Sequence, residues 1–304
     1  MYKKRTDLAL ESHEIHAEKG ACDGITVTER NVCGIRVTHM HVTKQGEKHC
    51  DKPSGTYVTA EIGAVWRAQA DAFETAANLL ADELRQMFPT GDGCVLVAGL
   101  GNEHITADSI GPRVVDRLLV TRHIKTSDKA LFASAGFGEL SAIASGVLGQ
   151  TGIESAEIIQ SLARHIRPRC IIAIDALASR RLSRLASTVQ ISDTGICPGS
   201  GVSNHRTEIS RQTMGVPVIS IGIPTVVDAH TLACDLLEEL SPDAKTAEQI
   251  LSCLQTENGK DFFVTPRDSD MLASGASRLI AAAINLAVHE DMTFRELEEY
   301  QSAL

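Results

Sequence analysis

The run "CIIAIDAL", Cys170 to Leu177, strings five apolar residues together and then turns to a carboxylate, Asp175. A strand with one face in water alternates apolar and polar side chains. A run with little alternation is covered on both faces, as in a parallel sheet packed between helices. "CVLVAGL" (94–100), "TVQIS" (188–192) and "PVISIGIP" (217–224) read the same way. Helical periodicity fills the intervals and the end of the chain, in "SIGPRVVDRLLVTRH" (109–123), "ESAEIIQSLARHI" (154–166), "TVVDAHTLACDLLEEL" (225–240) and "DSDMLASGASRLIAAAINLAVH" (268–289). Strands alternating with helices predict an α/β fold, a mostly parallel sheet with helices on both faces.

Upstream the pattern differs. Within residues 24–63, "ITVTE", "GIRVTHMHV" and "GTYVTAEIG" alternate around turn residues, which predicts a small N-terminal antiparallel β unit. Residues 67–88, "RAQADAFETAANLLADELRQMF", repeat apolar positions every three or four residues and predict a long amphipathic helix leading into the main domain.

Ligands of open α/β sheets gather beyond the carboxyl ends of the strands. The first such end is "AGLGNEHITADSIGP" (98–112), where Gly99 and Gly101 allow a tight turn and Asn102 follows. This is neither the GxGxxG of a dinucleotide fold nor a P-loop with its lysine, so no cofactor is expected. Asp108 precedes the start of a helix and reads either as its N-cap or as a site carboxylate. Asp175 ends a buried strand, where an ionised carboxylate needs a partner or a role. Either it pairs with Arg180 or Arg181, or it joins Asp108. Two adjacent carboxylates cannot both ionise easily, so one stays protonated while the other acts as base, the arrangement that activates water and protonates a leaving amine.

A third aspartate lies in "QISDTGICPGSGV" (190–202). DTG carries the catalytic carboxylate of pepsin-like proteases, but those enzymes need two such loops on β-rich scaffolds, and here one occurs in an α/β pattern. Asp193 is read as a brace in a glycine-rich site loop that could also include Gly101 and Asn102. Cys197 with His205 is a weaker nucleophile candidate, and His104 a loop histidine near the site.

Longer stretches carry a family resemblance. "RTDLALES", "GLGNEHITADSIGPRVVDRLLVTRH", "GVLGQTGIESAEII", "IIAIDALASRRLSRLASTVQISDTGICPGSGVSNHRTEIS", "GVPVISIGIPTVVDA" and "FFVTPRDSDM" occur in order over nearly the whole chain. Together they resemble the germination protease of spore-forming Firmicutes. The resemblance implies an endopeptidase that degrades small acid-soluble spore proteins in the forespore and spore core, made as a tetrameric zymogen that trims its own N-terminus. It places the family's proposed catalytic aspartates on Asp108 and Asp175. It also implies a fold similar to hydrogenase maturation endopeptidases, whose acidic residues bind nickel, which supplies a metal-dependent alternative. A non-enzymatic peptide-binding protein is the other alternative.

The same resemblance sets a cleavage register on "TDLALE", Thr6 to Glu11. Family substrates are cut after an acidic residue that is followed by an apolar residue, alanine, any residue and glutamate. That predicts autoprocessing between Asp7 and Leu8, a propeptide of residues 1–7 and a single protease domain of 8–304. Without the resemblance, Thr6 or Asp7 reads as the cap of a frayed terminal helix.

Composition limits the partners. With 43% hydrophobic and 22% charged residues, the 304-residue chain has the make-up of a soluble globular protein. A formal charge of −10 argues against direct nucleic-acid binding. No unbroken apolar run approaches membrane-spanning length, and the start has acidic residues where a signal peptide would be apolar, so a cytoplasmic protein without membrane contact is expected. Eight scattered cysteines without a CxxC pair predict reduced thiols and no metal site.

Overall fold

A computed structural model describes residues 4–17, 23–65, 70–199, 206–240 and 262–303. Among them, the strands β1 (Ile25–Val32), β2 (Ile35–Val42), β3 (Gly55–Glu61), β4 (Val95–Gly99), β5 (Leu140–Ala144), β6 (Cys170–Ser179), β7 (Thr188–Ser192), β8 (Val218–Asp228) and β9 (Phe263–Val264) form one sheet. Its order is β1-β2-β3-β7-β8-β6-β4-β5, with β9 pairing with β8 as well.

The run "CIIAIDAL" lies in β6, at the centre of the parallel part: β4 lies between β5 and β6, β8 flanks β6, and all these pairings are parallel. From β4 the chain goes to β5 on one side and returns to β6 on the other. That reversal opens a crevice at the carboxyl ends of β4 and β6.

The N-terminal strands form the expected antiparallel unit, and it extends this sheet. β3 pairs antiparallel with β7, and β7 antiparallel with β8. "TVQIS" is thus the antiparallel seam between the two halves. Both of its faces are buried, so its composition matches that of its parallel neighbours.

Each face of the sheet has its own cover. On one, helices α2 (Ala70–Met87), α3 (Ile110–Val115) and Ser269–Val288 pack against Val95, Val97, Ile172, Ile174, Ile219 and Ile221. The helix Ser269–Val288 is long and apolar enough by composition to cross a membrane, but most of it is buried in this core. On the other face the helix Ser155–Ile166 packs on Leu96, Ala98, Ile171 and Ala173. There the N-terminal helix α1 (Ala9–Ala17) also lies, with Ala9 packed among Met40, Val42 and Tyr57.

Two helical expectations run shorter than their periodicity. "SIGPRVVDRLLVTRH" leaves the helix after Val115 because tertiary partners take its backbone groups: Leu119 N donates to Asn285 Oδ1 and Thr121 N to Leu140 O. "TVVDAHTLACDLLEEL" begins as strand, since β8 runs on through β-branched Thr225, Val226 and Val227. Asp228 then accepts from Thr231 N at 2.7 Å and caps the helix Ala229–Leu240.

Candidate active site

Register fixes which side chains meet. Gln190 of β7 pairs with Gly222 of β8, and Gly222 with Asp175 of β6. Paired residues point to the same face, so Asp175 and Gln190 flank a position with no side chain. The row faces the side that carries α1 and Ser155–Ile166.

Asp108 comes from the loop after β4. It does not cap α3, whose N-cap is Ser109; instead its Oδ2 accepts from Asn102 N at 2.8 Å. Gly101 makes this possible with φ +106°, since a Cβ there would stand 2.0 Å from Asp108 O. Thr225 Oγ1 donates to Ala107 O at 2.7 Å and ties the loop to β8. Asp175 is 7% exposed, and its Oδ1 accepts from Ala176 N at 2.9 Å. Arg180 and Arg181 do not serve it: Arg180 pairs with Asp235 and Arg181 with Glu14.

Both carboxylates line one cleft of about 560 Å³. Burial pushes the Asp175 carboxyl well above the usual range, the Asp108 charge pushes it further and that of Asp7 adds to this, while Ala176 N–H and Arg206 oppose. Burial also raises Asp108, against the Asn102 N–H and Arg206. The result is a coupled pair that holds a proton above the ordinary carboxylate range, so one member can donate a proton while the other accepts one.

The N-terminal segment occupies the same cleft. Asp7 N donates to Ala178 O, and Asp7 Oδ2 accepts from Ala178 N, each at 2.8 Å. Lys52 Nζ donates to Asp7 O at 2.9 Å, Gln190 Nε2 approaches the same oxygen at 3.4 Å, and Ala9 N donates to Gln190 Oε1 at 2.7 Å. Leu8 and Ala9 are fully buried. Glu11, also fully buried, accepts from Arg180 N and Arg181 N at 2.6 and 3.0 Å, with Arg184 3.4 Å away. The Asp7–Leu8 junction, with a bend at Asp7, is therefore docked just ahead of α1 and is not a frayed helix end.

The remaining candidates fall elsewhere. Asp193 does not line the cleft; its Oδ1 accepts from Thr56 N at 2.7 Å and joins the end of β7 to the start of β3. Cys197 does line it, but burial raises its thiol, which disfavours the thiolate nucleophile. His205, like Cys22 and Cys253, lies outside the described residues, and the other six cysteines form no disulfide. His104 is exposed beside Glu103. Imidazole suits nickel; among the described residues no histidine lines the cleft with the pair, and no three His, Cys, Asp or Glu side chains group to hold a metal. The carboxylate pair does not fit that ion.

Sequence reasoning missed Lys52, Gln190 and Arg206, which line the cleft with the aspartates. Lys52 sits in a loop with no motif. Gln190 carried a signal, as a polar residue inside the buried run "TVQIS", where an amide needs a partner.

The sequence profile described as "Germination protease" matches residues 4–241. The germination protease of Caldanaerobacter subterraneus subsp. tengcongensis is 40% identical, covering 97% of each chain. That of Clostridium acetobutylicum is 38% identical over 99% of each, and that of Bacillus pumilus 33% identical over 98% of this chain and 97% of its own. Among solved structures, a [NiFe] hydrogenase maturation protease, HycI, from Thermococcus kodakarensis aligns at TM-score 0.35 and 16% identity, over 67% of this chain and 99% of its own. With a profile match across most of its length and relatives aligned nearly end to end, this chain belongs to the germination protease family and is an endopeptidase.

Proposed function

We propose that this endopeptidase degrades small acid-soluble spore proteins during germination, in the forespore and spore core, with Asp108 and Asp175 activating water. The observation that supports it best is the pair of carboxylates at neighbouring strand ends in one cleft, with the N-terminal segment of the chain lodged beside them. The ionised carboxylate accepts a proton from water, the hydroxyl adds to the scissile carbonyl, and the protonated carboxyl donates to the leaving nitrogen. Residues 1–7 are a propeptide, 8–304 the mature domain, and the active pair cuts the chain itself between Asp7 and Leu8. The zymogen assembles as a homotetramer.

Purified protein, incubated alone at mildly acidic pH and then with a small acid-soluble spore protein, tests the reading by mass spectrometry. A new N-terminus at Leu8 and cleavage of the added protein are expected, both lost in Asp108→Asn and Asp175→Asn but not in Asp193→Asn. Chelator should change nothing. Wild-type activity in either of the first two variants sinks the aspartate assignment; a chelator-sensitive reaction favours the metal alternative. No cleavage of any kind leaves a peptide-binding protein.

A further inference from the structure

The carbonyl of Asp7 is held in a way that nothing about chain folding requires. A lysine and a glutamine from separate strands or loops converge on one oxygen, Lys52 Nζ at 2.9 Å and Gln190 Nε2 at 3.4 Å. The carbonyl before it is also reached by Lys52, at 3.3 Å from Thr6 O. Lys52 is half-buried and the segment is already held by Ala178, Gln190 Oε1 and the Glu11 contacts, so docking alone does not call for an ammonium on this neutral oxygen.

Geometry gives the arrangement a use. Asp175, Gly222 and Gln190 stand side by side across three strands, with strands about 4.8 Å apart. Gly222 has no side chain of its own, Leu177 leans over it, and Asp7, Lys52, Gln190, Asp108 and Asp175 line the same cleft. A peptide bond lodged in this cleft has both the carboxylate pair and the N–H donors of Lys52 and Gln190 among its walls.

We propose that Lys52 and Gln190 form the electrophilic side of the catalytic site, gripping the scissile carbonyl oxygen and stabilising the charge that develops on it. The assignment rests on the endopeptidase reading with its cut at Asp7–Leu8. The ionised carboxylate takes a proton from water and the hydroxyl oxygen bonds to the Asp7 carbonyl carbon. The C=O π pair moves onto oxygen, and that anion lies against the Lys52 ammonium and the Gln190 amide. When the pair returns, the C–N bond breaks, its electrons stay on the Leu8 nitrogen, and the protonated carboxyl supplies the proton. Water is consumed, and the products are a carboxyl at Asp7 and an amine at Leu8. Donors aimed at a developing oxyanion each contribute about 100- to 1000-fold in rate.

The test uses the full chain and two readouts: the rate of appearance of the Leu8 N-terminus by intact mass, and amide hydrogen exchange of residues 6–11, which reports whether the segment stays docked. Lys52→Met should slow processing at least about 100-fold with exchange of the segment unchanged. Lys52→Arg should recover most of that loss, and Gln190→Leu should also slow processing. If Lys52→Met processes at the wild-type rate, the inference fails while the endopeptidase reading stands. If it slows processing only by releasing the segment, seen as faster exchange, Lys52 is a staple and the inference fails too. A wild-type chain cut elsewhere or not at all overturns both.

Discussion

Asp175 shows most directly how position sets chemistry. In the unfolded chain it titrates near 3.8, and in the fold burial and the Asp108 charge raise it well above that. The folded state therefore binds the proton more tightly. The stability Asp175 contributes is fully present below its unfolded value and is lost as pH rises through the raised one. Asp175→Asn, nearly the same shape but never charged, escapes this loss. Its thermal midpoint should match wild type near pH 4 and exceed it at pH 8 by roughly 2–4 °C, the shift that about 1 kcal/mol gives a domain of this size. Calorimetry across pH checks this; equal midpoints at pH 8 would mean the carboxylate is not strained by burial. By the same raised titration, the proposed self-cleavage should run faster in mild acid, where one proton is shared by the pair, than at pH 8, as intact mass followed over time checks.

At the level of elements, the N-terminal segment is held chiefly by Glu11. Its carboxylate receives the amides of Arg180 and Arg181, the hydroxyl of Thr6 at 2.5 Å and the charge of Arg184. Glu11→Ala leaves buried donors unpaired and should cost about 3–5 kcal/mol, spent on local undocking. Amides of α1 and of Arg180 and Arg181 should exchange over 100-fold faster, with β4 and β6 unchanged. Protection retained in α1 would assign the docking to Leu8 and Ala9 instead. What sequence revealed and what it hid follow the same division. β6 was legible because five apolar residues before Asp175 admit one explanation, and Asp108 because glycines flank its loop. The short strand β5 was not, since "LSAIA" is an edge strand of five residues with intermediate burial and no distinctive run. Nor was the reach of Lys52 into the cleft: contact between residues 7, 52 and 190 depends on the β3–β7 seam, and a pairing across more than a hundred residues leaves no local trace.

For the whole molecule, a symmetric tetramer built from twofold axes needs two different self-complementary surfaces. β1 offers one. It is an eight-residue strand paired with β2, mostly exposed, with Val27 36% exposed. A long edge is a template for pairing with another chain unless it is blunted. The helix Ala229–Leu240 offers the other: among the described residues, Leu236 and Leu240 stand 52% and 77% exposed one turn apart. Carrying a formal charge of −10, copies of the chain repel at long range, so the proposed tetramer would depend on short-range strand pairing and apolar contact and should withstand salt. Light scattering at micromolar concentration should give four times the 32.6 kDa chain mass, in low and high salt alike. Val27→Lys, which puts a charge on the edge, should halve that mass, and Leu236→Asp with Leu240→Asp should halve it independently. Combining all three should leave single chains whose Asp7–Leu8 junction stays docked, because Ala178, Gln190, Lys52, Arg180 and Arg181 hold it from the same chain. A wild-type monomer would remove the tetramer, and an unchanged mass in both sets of variants would move its interfaces elsewhere on the surface.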